Sequence, residues 1–318
     1  PLPIRRAAVI GAGTMGGGIA MCFANAGIPV KVLEVSREAL DRGLQTIRSN
    51  YATSVSRGSL SQERMDEALA RIEGVLQYEA LGDADIIIEA VFEDMKIKQD
   101  VFRELDRVAA PHAILATNTS TLDIDAIASV TSRPEKVVGT HFFSPANVMK
   151  LLENVRGPRS SAETLATVMA LGRTLGKIPV LAGNCDGFIG NRMLQFYGAE
   201  SEFLLEEGAT PEQVDRVAEE FGFAMGPIAV RDLAGIDVGL RIRRNRKLPP
   251  DERTSPLLER LAERGRLGQK SGRGFYRYEG RRRIPDPEVM EVIESVSREL
   301  GIERRTIPDE EIPDRLLH

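Results

Sequence analysis

Tryptophan is absent, aromatic residues make up only 5% of the chain, and three histidines and two cysteines occur in 318 residues. Each scarcity excludes something. Cys22 and Cys185 lie far apart in sequence, one of them inside an expected helix, which leaves no disulfide framework and no thiolate metal site. The pattern is that of a reduced, non-secreted protein, and no metal is expected. No apolar run approaches the length of a membrane span. A net charge of −5 disfavours a general nucleic-acid footprint. Neither an initiator methionine nor a signal peptide opens the chain, which starts Pro1-Leu2-Pro3; the expectation is a processed chain or a piece of a longer one. What is present, 42% hydrophobic residues over a length of about two domains, is ordinary globular composition.

With so few histidines, position decides which one can do chemistry. His318 ends the chain and His112 sits in an Ala-Pro-His loop. His141 instead follows the apolar run at Val137 and Val138, and a turn at Ser144-Pro145 leads to a second apolar run ending on Glu153. A histidine exchanges protons near neutral pH, and a carboxylate is the usual partner that holds its ring. The residues by themselves favour a core histidine between two strands.

Near the start, a buried-strand run at Ala7 to Ile10 leads into Gly11-Ala12-Gly13-Thr14-Met15-Gly16, and Ile19, Cys22, Phe23 and Ala26 then recur at helical spacing. A second strand over Val30 to Leu33 ends on Glu34. In a strand, glycine turn, helix, strand and acid, Gly11 permits the turn, Gly13 admits a pyrophosphate and Gly16 lets helix and strand approach. Glu34 would bind ribose hydroxyls and repel a 2′-phosphate, which favours NAD over NADP.

The segment from about 37 to 74 is charged and mostly helical, broken around Gly58. It reads as a solvated helical hairpin or as an arm whose arginines, Arg57 among them, meet a distant phosphate. Asp85 to Glu89 is a fully buried strand, and Ala90-Val91-Phe92-Glu93 forms the loop at its carboxyl end, where open parallel sheets bind ligands. Lys98 opens the next helix on the same side. After a strand over Ile114 to Thr117, Asn118, Ser120 and their neighbours either cap a helix or face the nicotinamide side of a ligand. Strands alternating with helices imply a doubly wound, mainly parallel Rossmann-type sheet over residues 1–185. Residues 186–318 read as a smaller all-α domain with helices over Phe188 to Leu205, Pro211 to Phe221, Ile228 to Arg241 and Pro256 to Glu263. A glycine-rich stretch over Gly265 to Tyr278 is a substrate-facing loop or a surface hairpin, and the last residues start a helix with no room to continue.

The ordered set GAGTMGGGIA, EAVFEDMKIK, NTSTL, GTHFFSPANVMKLLE and GFIGNRM strongly resembles the L-3-hydroxyacyl-CoA dehydrogenases of fatty-acid β-oxidation, from about Arg6 to Tyr278. The resemblance implies NAD-linked oxidation of an L-3-hydroxyacyl-CoA to the 3-ketoacyl-CoA. It places the catalytic base on His141, its paired carboxylate on Glu153, and substrate-contacting residues on Ser120 and Asn191. Asn191 would come from the helical domain, so that the site lies between domains. Cofactor contacts fall on Gly11, Gly13, Thr14, Met15, Gly16 and Glu34, and on Ala90, Val91, Glu93, Lys98 and Asn118. The phosphate-contacting lysine of the family's helical arm falls at Arg57, a change that keeps charge and alters geometry.

HFFSP and LGQKSGRGFYRYEG resemble more narrowly the dehydrogenase region of multifunctional β-oxidation enzymes, and Thr306 to Leu317 resembles the opening of their second helical repeat. A truncated second repeat is therefore expected. A homodimer through the helical domain, or membership of a larger multifunctional chain, is implied as well. The runner-up activity is that of a related sugar-acid (gulonate-type) dehydrogenase, which would need no CoA arm; an NAD-binding fragment with poor turnover is the third reading. The excess of arginine over lysine points to a bacterial cytoplasm, with peroxisome and mitochondrion left open.

Overall fold

Short apolar runs become strands where helices cover both faces of the sheet they build, and the amphipathic runs between them become those helices. The computed structural model describes residues 1–245, 251–280 and 282–318, and divides into two compact units, Pro1–Asn191 and Arg192–His318. The strands of the first are Ala7–Ile10 (β1), Val30–Leu33 (β2), Ile72–Val75 (β3), Ile86–Glu89 (β4), Ile114–Thr117 (β5), Val137–Phe142 (β6), Leu151–Arg156 (β7) and Ile178–Gly183 (β8). Their order is β3-β2-β1-β4-β5-β6-β7-β8, parallel throughout except for the antiparallel β6–β7 pair. The helices are Thr14–Asn25 (α1), Arg37–Ser56 (α2), Gln62–Ala70 (α3), Met95–Val108 (α4), Ile124–Ala128 (α5) and Ala162–Thr174 (α6).

This is the doubly wound sheet expected, with one apolar core on each face. The strand order reverses between β1 and β4, and the carboxyl ends of strands at such a point are where open α/β sheets bind ligands. The charged arm resolves into α2 and α3, separated at Gly58 (φ +71°), and its last residues enter the sheet as β3.

The second unit is helical: Gly190–Glu207 (α7, which starts within the first unit), Pro211–Phe221 (α8), Pro227–Ala234 (α9), Ile236–Asn245 (α10), Leu257–Glu263 (α11), Pro287–Glu299 (α12) and Glu311–Leu317 (α13). Thr210 caps α8 and a proline occupies its first turn. The single helix expected over 228–241 is two, because Gly235 takes φ +100° and ends α9. The helices are joined by one two-stranded antiparallel hairpin, Arg277–Glu279 (β9) and Arg282–Ile284 (β10), which grows out of the end of the glycine-rich stretch. Arg266, from the same stretch, is fully buried and pairs with Asp286 at 2.7 Å and Glu288 at 3.0 Å. The terminal α13 buries Ile312 and Leu316 in the core of this unit. Among the described residues no helix is long and apolar enough to cross a membrane.

Candidate active site

The spacing of twelve between His141 and Glu153 is explained by strand register. β6 and β7 form an antiparallel hairpin in which the two residues are direct cross-strand partners, so their side chains project from the same face. β7 starts two residues before Glu153 and runs on to Arg156, so the acid lies inside the strand rather than at its end. Nδ1 of His141 is 2.7 Å from Glu153 Oε2. The other carboxylate oxygen accepts hydrogen bonds from the backbone N–H groups of Ile189, at 3.1 Å, and Gly190, at 2.6 Å. Both side chains are buried, and the rings of Phe143 and Phe188 stand 4.4 and 5.6 Å from the imidazole, centroid to centroid.

Burial alone would raise the Glu153 carboxyl, but the hydrogen bond from His141 and the two backbone donors outweigh it and hold the group below the usual carboxylate range. An ionised Glu153 makes Nδ1 the donor. Nε2 is then the ring atom left to accept a proton.

At the opposite end of the site is the glycine loop. Gly11 has φ +96°, and a Cβ there would lie 2.8 Å from the carbonyl oxygen of Ala90; one on Gly16 would lie 1.8 Å from Gly11 O. Gly13 faces open space and precedes α1 without a side-chain cap, so the first N–H groups of that helix, over Thr14, Met15 and Gly16, are presented to whatever approaches. Glu34 reaches back over the loop, accepting from Ala12 N at 2.8 Å and Val35 N at 3.0 Å. A bare backbone cradle at a helix start with an acid held beside it fits a dinucleotide.

Between these two places lie the ends of β4 and β5. Glu89, fully buried, accepts from Lys98 Nζ, Val91 N and Thr117 Oγ1, each at 2.7 Å. Lys98 is itself fully buried and reaches Glu93 at 3.4 Å, so its ammonium is engaged by two carboxylates. Glu93 gathers the Asn118–Thr121 turn, accepting from Thr119 Oγ1 at 2.6 Å, Ser120 N at 2.9 Å and Ser120 Oγ at 3.2 Å. Burial acts to raise its carboxyl, but Thr119, the Lys98 ammonium and Ser120 together hold it below the usual range. Asn118 Oδ1 accepts from Phe142 N at 2.9 Å, which ties this turn to the strand that carries His141.

His141 and Glu153 are thus in direct contact. Ser120 and Asn118 are joined to Glu93 and to β6, and Ala90 is joined to the glycine loop. Asn191 lies in the first turn of α7, next to the Gly190 N–H that Glu153 accepts, and belongs to the first compact unit. Arg57 is exposed at the C-terminal cap of α2. Sequence reasoning passed over Glu89, Phe143, Phe188 and the backbone of Ile189 and Gly190. A charged residue closing the apolar run DIIIE, nine residues before Lys98, was the available signal for Glu89; backbone donors leave none.

Residues 6–185 match the family described as 3-hydroxyacyl-CoA dehydrogenase, NAD binding domain, and residues 187–278 the family described as 3-hydroxyacyl-CoA dehydrogenase, C-terminal domain. The peroxisomal bifunctional enzyme of Danio rerio is 46% identical over 333 residues, covering 100% of this chain and 46% of that protein. The chain therefore spans about half the length of such curated relatives. Among solved structures, the (S)-3-hydroxybutyryl-CoA dehydrogenase of Ralstonia eutropha is similar with a TM-score of 0.81 and 36% identity, over 87% of this chain and 100% of that one. The dehydrogenase part of multifunctional enzyme 1 from C. elegans is similar with a TM-score of 0.75 and 34% identity, over 99% of this chain and 72% of that one.

Proposed function

The chain belongs to the 3-hydroxyacyl-CoA dehydrogenase family, and on that premise we propose that it oxidises L-3-hydroxyacyl-CoA to 3-ketoacyl-CoA in fatty-acid β-oxidation. The observation that carries the reading is the buried His141–Glu153 pair, at 2.7 Å, with Nε2 left as proton acceptor. NAD, when bound, supplies the hydride acceptor. Gly11, Gly13, Thr14, Met15 and Gly16 offer it backbone N–H groups, and Glu34 offers acceptors to the ribose. Ala90, Val91, Glu93 and Asn118 border its nicotinamide half, and Lys98 acts there as a positioning residue behind Glu93.

His141 takes the proton of the 3-hydroxyl on Nε2. Glu153, ionised and fixed by the Ile189 and Gly190 N–H groups, keeps the ring in one orientation and stabilises the imidazolium that forms. Ser120 and Asn191 hydrogen-bond the reacting oxygen, a positioning role. Arg57 on the arm meets a phosphate of CoA. The chain works as a homodimer or as one section of a larger multifunctional chain, in a bacterial cytoplasm.

The test compares NADH oxidation against acetoacetyl-CoA with NAD reduction against gulonate. Turnover with the first and none with the second is expected. Turnover with gulonate alone would move the assignment to the sugar-acid branch. NADH binding without turnover of either would leave an NAD-binding protein in place of a working dehydrogenase.

A further inference from the structure

We propose that Glu89 is a positioning residue which, by engaging Lys98, leaves a single net negative charge beside the nicotinamide and so favours the oxidised cofactor over the reduced one. The inference rests on the cofactor reading above. Glu89, Lys98 and Glu93 form a file running outward from the core: a fully buried carboxylate, a fully buried ammonium, and a second carboxylate whose side chain is 36% exposed. Two carboxylates and one ammonium leave one negative charge. Were Glu89 absent, Lys98 would neutralise Glu93, and the outer end of the file would carry no net charge.

The file stands where the nicotinamide must lie. Glu89 ends β4, and Glu93 binds the turn that follows β5; these two strands are between β1, which bears the glycine loop, and β6, which bears His141. Ala90 touches the glycine loop and Asn118 is bonded to Phe142. A dinucleotide extended from Gly13 toward His141 crosses the Glu93 end. The oxidised ring carries a positive charge that the reduced ring lacks, and a net negative charge in a partly water-excluded site attracts only the former.

A merely structural ion pair would affect both cofactor forms alike, so the readout is the ratio of their dissociation constants. NADH is titrated by its own fluorescence, free of tryptophan background because the chain has none, and NAD is measured by competition. Glu89→Gln keeps the hydrogen bonds, since the Thr117 hydroxyl can accept from the amide where it now donates, but removes the charge. It is expected to raise the NAD-to-NADH ratio of dissociation constants about tenfold. The double variant Glu89→Gln with Lys98→Met restores one net negative charge and is expected to return the ratio to within about threefold of the parent.

An unchanged ratio in Glu89→Gln, or no recovery in the double variant, overturns the proposal. Should Glu89→Gln fail to fold, Glu93→Gln removes the same charge at the outer end, and an unchanged ratio there overturns it equally. If the parent chain binds neither NAD nor NADH, it is the cofactor reading that has failed.

Discussion

Glu153 in the first unit and Asp215 in the second are both buried carboxylates that accept two backbone N–H groups each, yet their proton affinities move in opposite directions. Glu153 accepts from Ile189 and Gly190 and is held below the usual range, with an imidazole 2.7 Å away that can carry positive charge. Asp215 accepts from Ile228 and Ala229, but its closest side-chain partner is the neutral hydroxyl of Tyr276 at 2.7 Å, with Arg283 more distant at 3.3 Å. Burial wins there, and the Asp215 carboxyl is pushed up to about 6. The difference teaches what separates a buried acid held ionised from one that keeps its proton in this molecule. Backbone donors are common to both. A partner that can itself take up and release a proton stands 2.7 Å from Glu153, whereas the charge beside Asp215 is the permanent one of Arg283, at 3.3 Å.

The sharpest way to break the comparison is to remove that partner. His141→Gln should retain NADH binding and lose a factor of about 10² to 10⁴ in acetoacetyl-CoA reduction; near-normal turnover would end the assignment of His141 as base. Glu153→Gln comes next. An amide has one acceptor oxygen and cannot serve both Nδ1–H and the Ile189 and Gly190 donors, so kcat should fall on the order of 10² with the NADH dissociation constant unaltered. Equal losses in cofactor binding and kcat would mean that Glu153 only supports the fold.

Asp215→Asn carries the smallest effect and reads the other side of the comparison. The native group holds its proton up to about 6, above its ordinary value of 3.8. Its contribution to stability is full below the ordinary value and is lost as pH rises through the native one, by at most about 3 kcal/mol. Glu153, depressed, contributes with the opposite sign: its share is present above the ordinary carboxylate pKa and lost as pH falls through the native value. Melting temperatures of parent and Asp215→Asn between pH 4 and pH 7 should show the downward slope only in the parent. Identical slopes would show that Asp215 titrates normally.

How much could be read beforehand varied with the range of the interaction. Gly11 to Gly16 and Glu34 were legible because turn, helix start and acid all lie within one strand–helix–strand unit. The pairing of His141 with Glu153 came from the family resemblance and not from the residues alone, because its cause is the β6–β7 register. Gly235 was read through as helix, since apolar spacing continues across it and only its positive φ breaks the element. Glu89 looked like the end of a buried strand because its partners, Lys98 and Thr117, come from a different helix and a different strand.

Local rules thus determined the doubly wound sheet and the glycine loop, since each depends on neighbours within a few turns of chain. Tertiary structure decided the charge states. Whether Glu153 stays ionised depends on N–H groups 36 and 37 residues away, and whether Lys98 is free or engaged depends on how its helix packs against the carboxylate that ends β4. Electrostatic balance in a buried site is set by burial and by which donors the fold delivers within hydrogen-bonding distance, and neither quantity is carried by the order of residues alone.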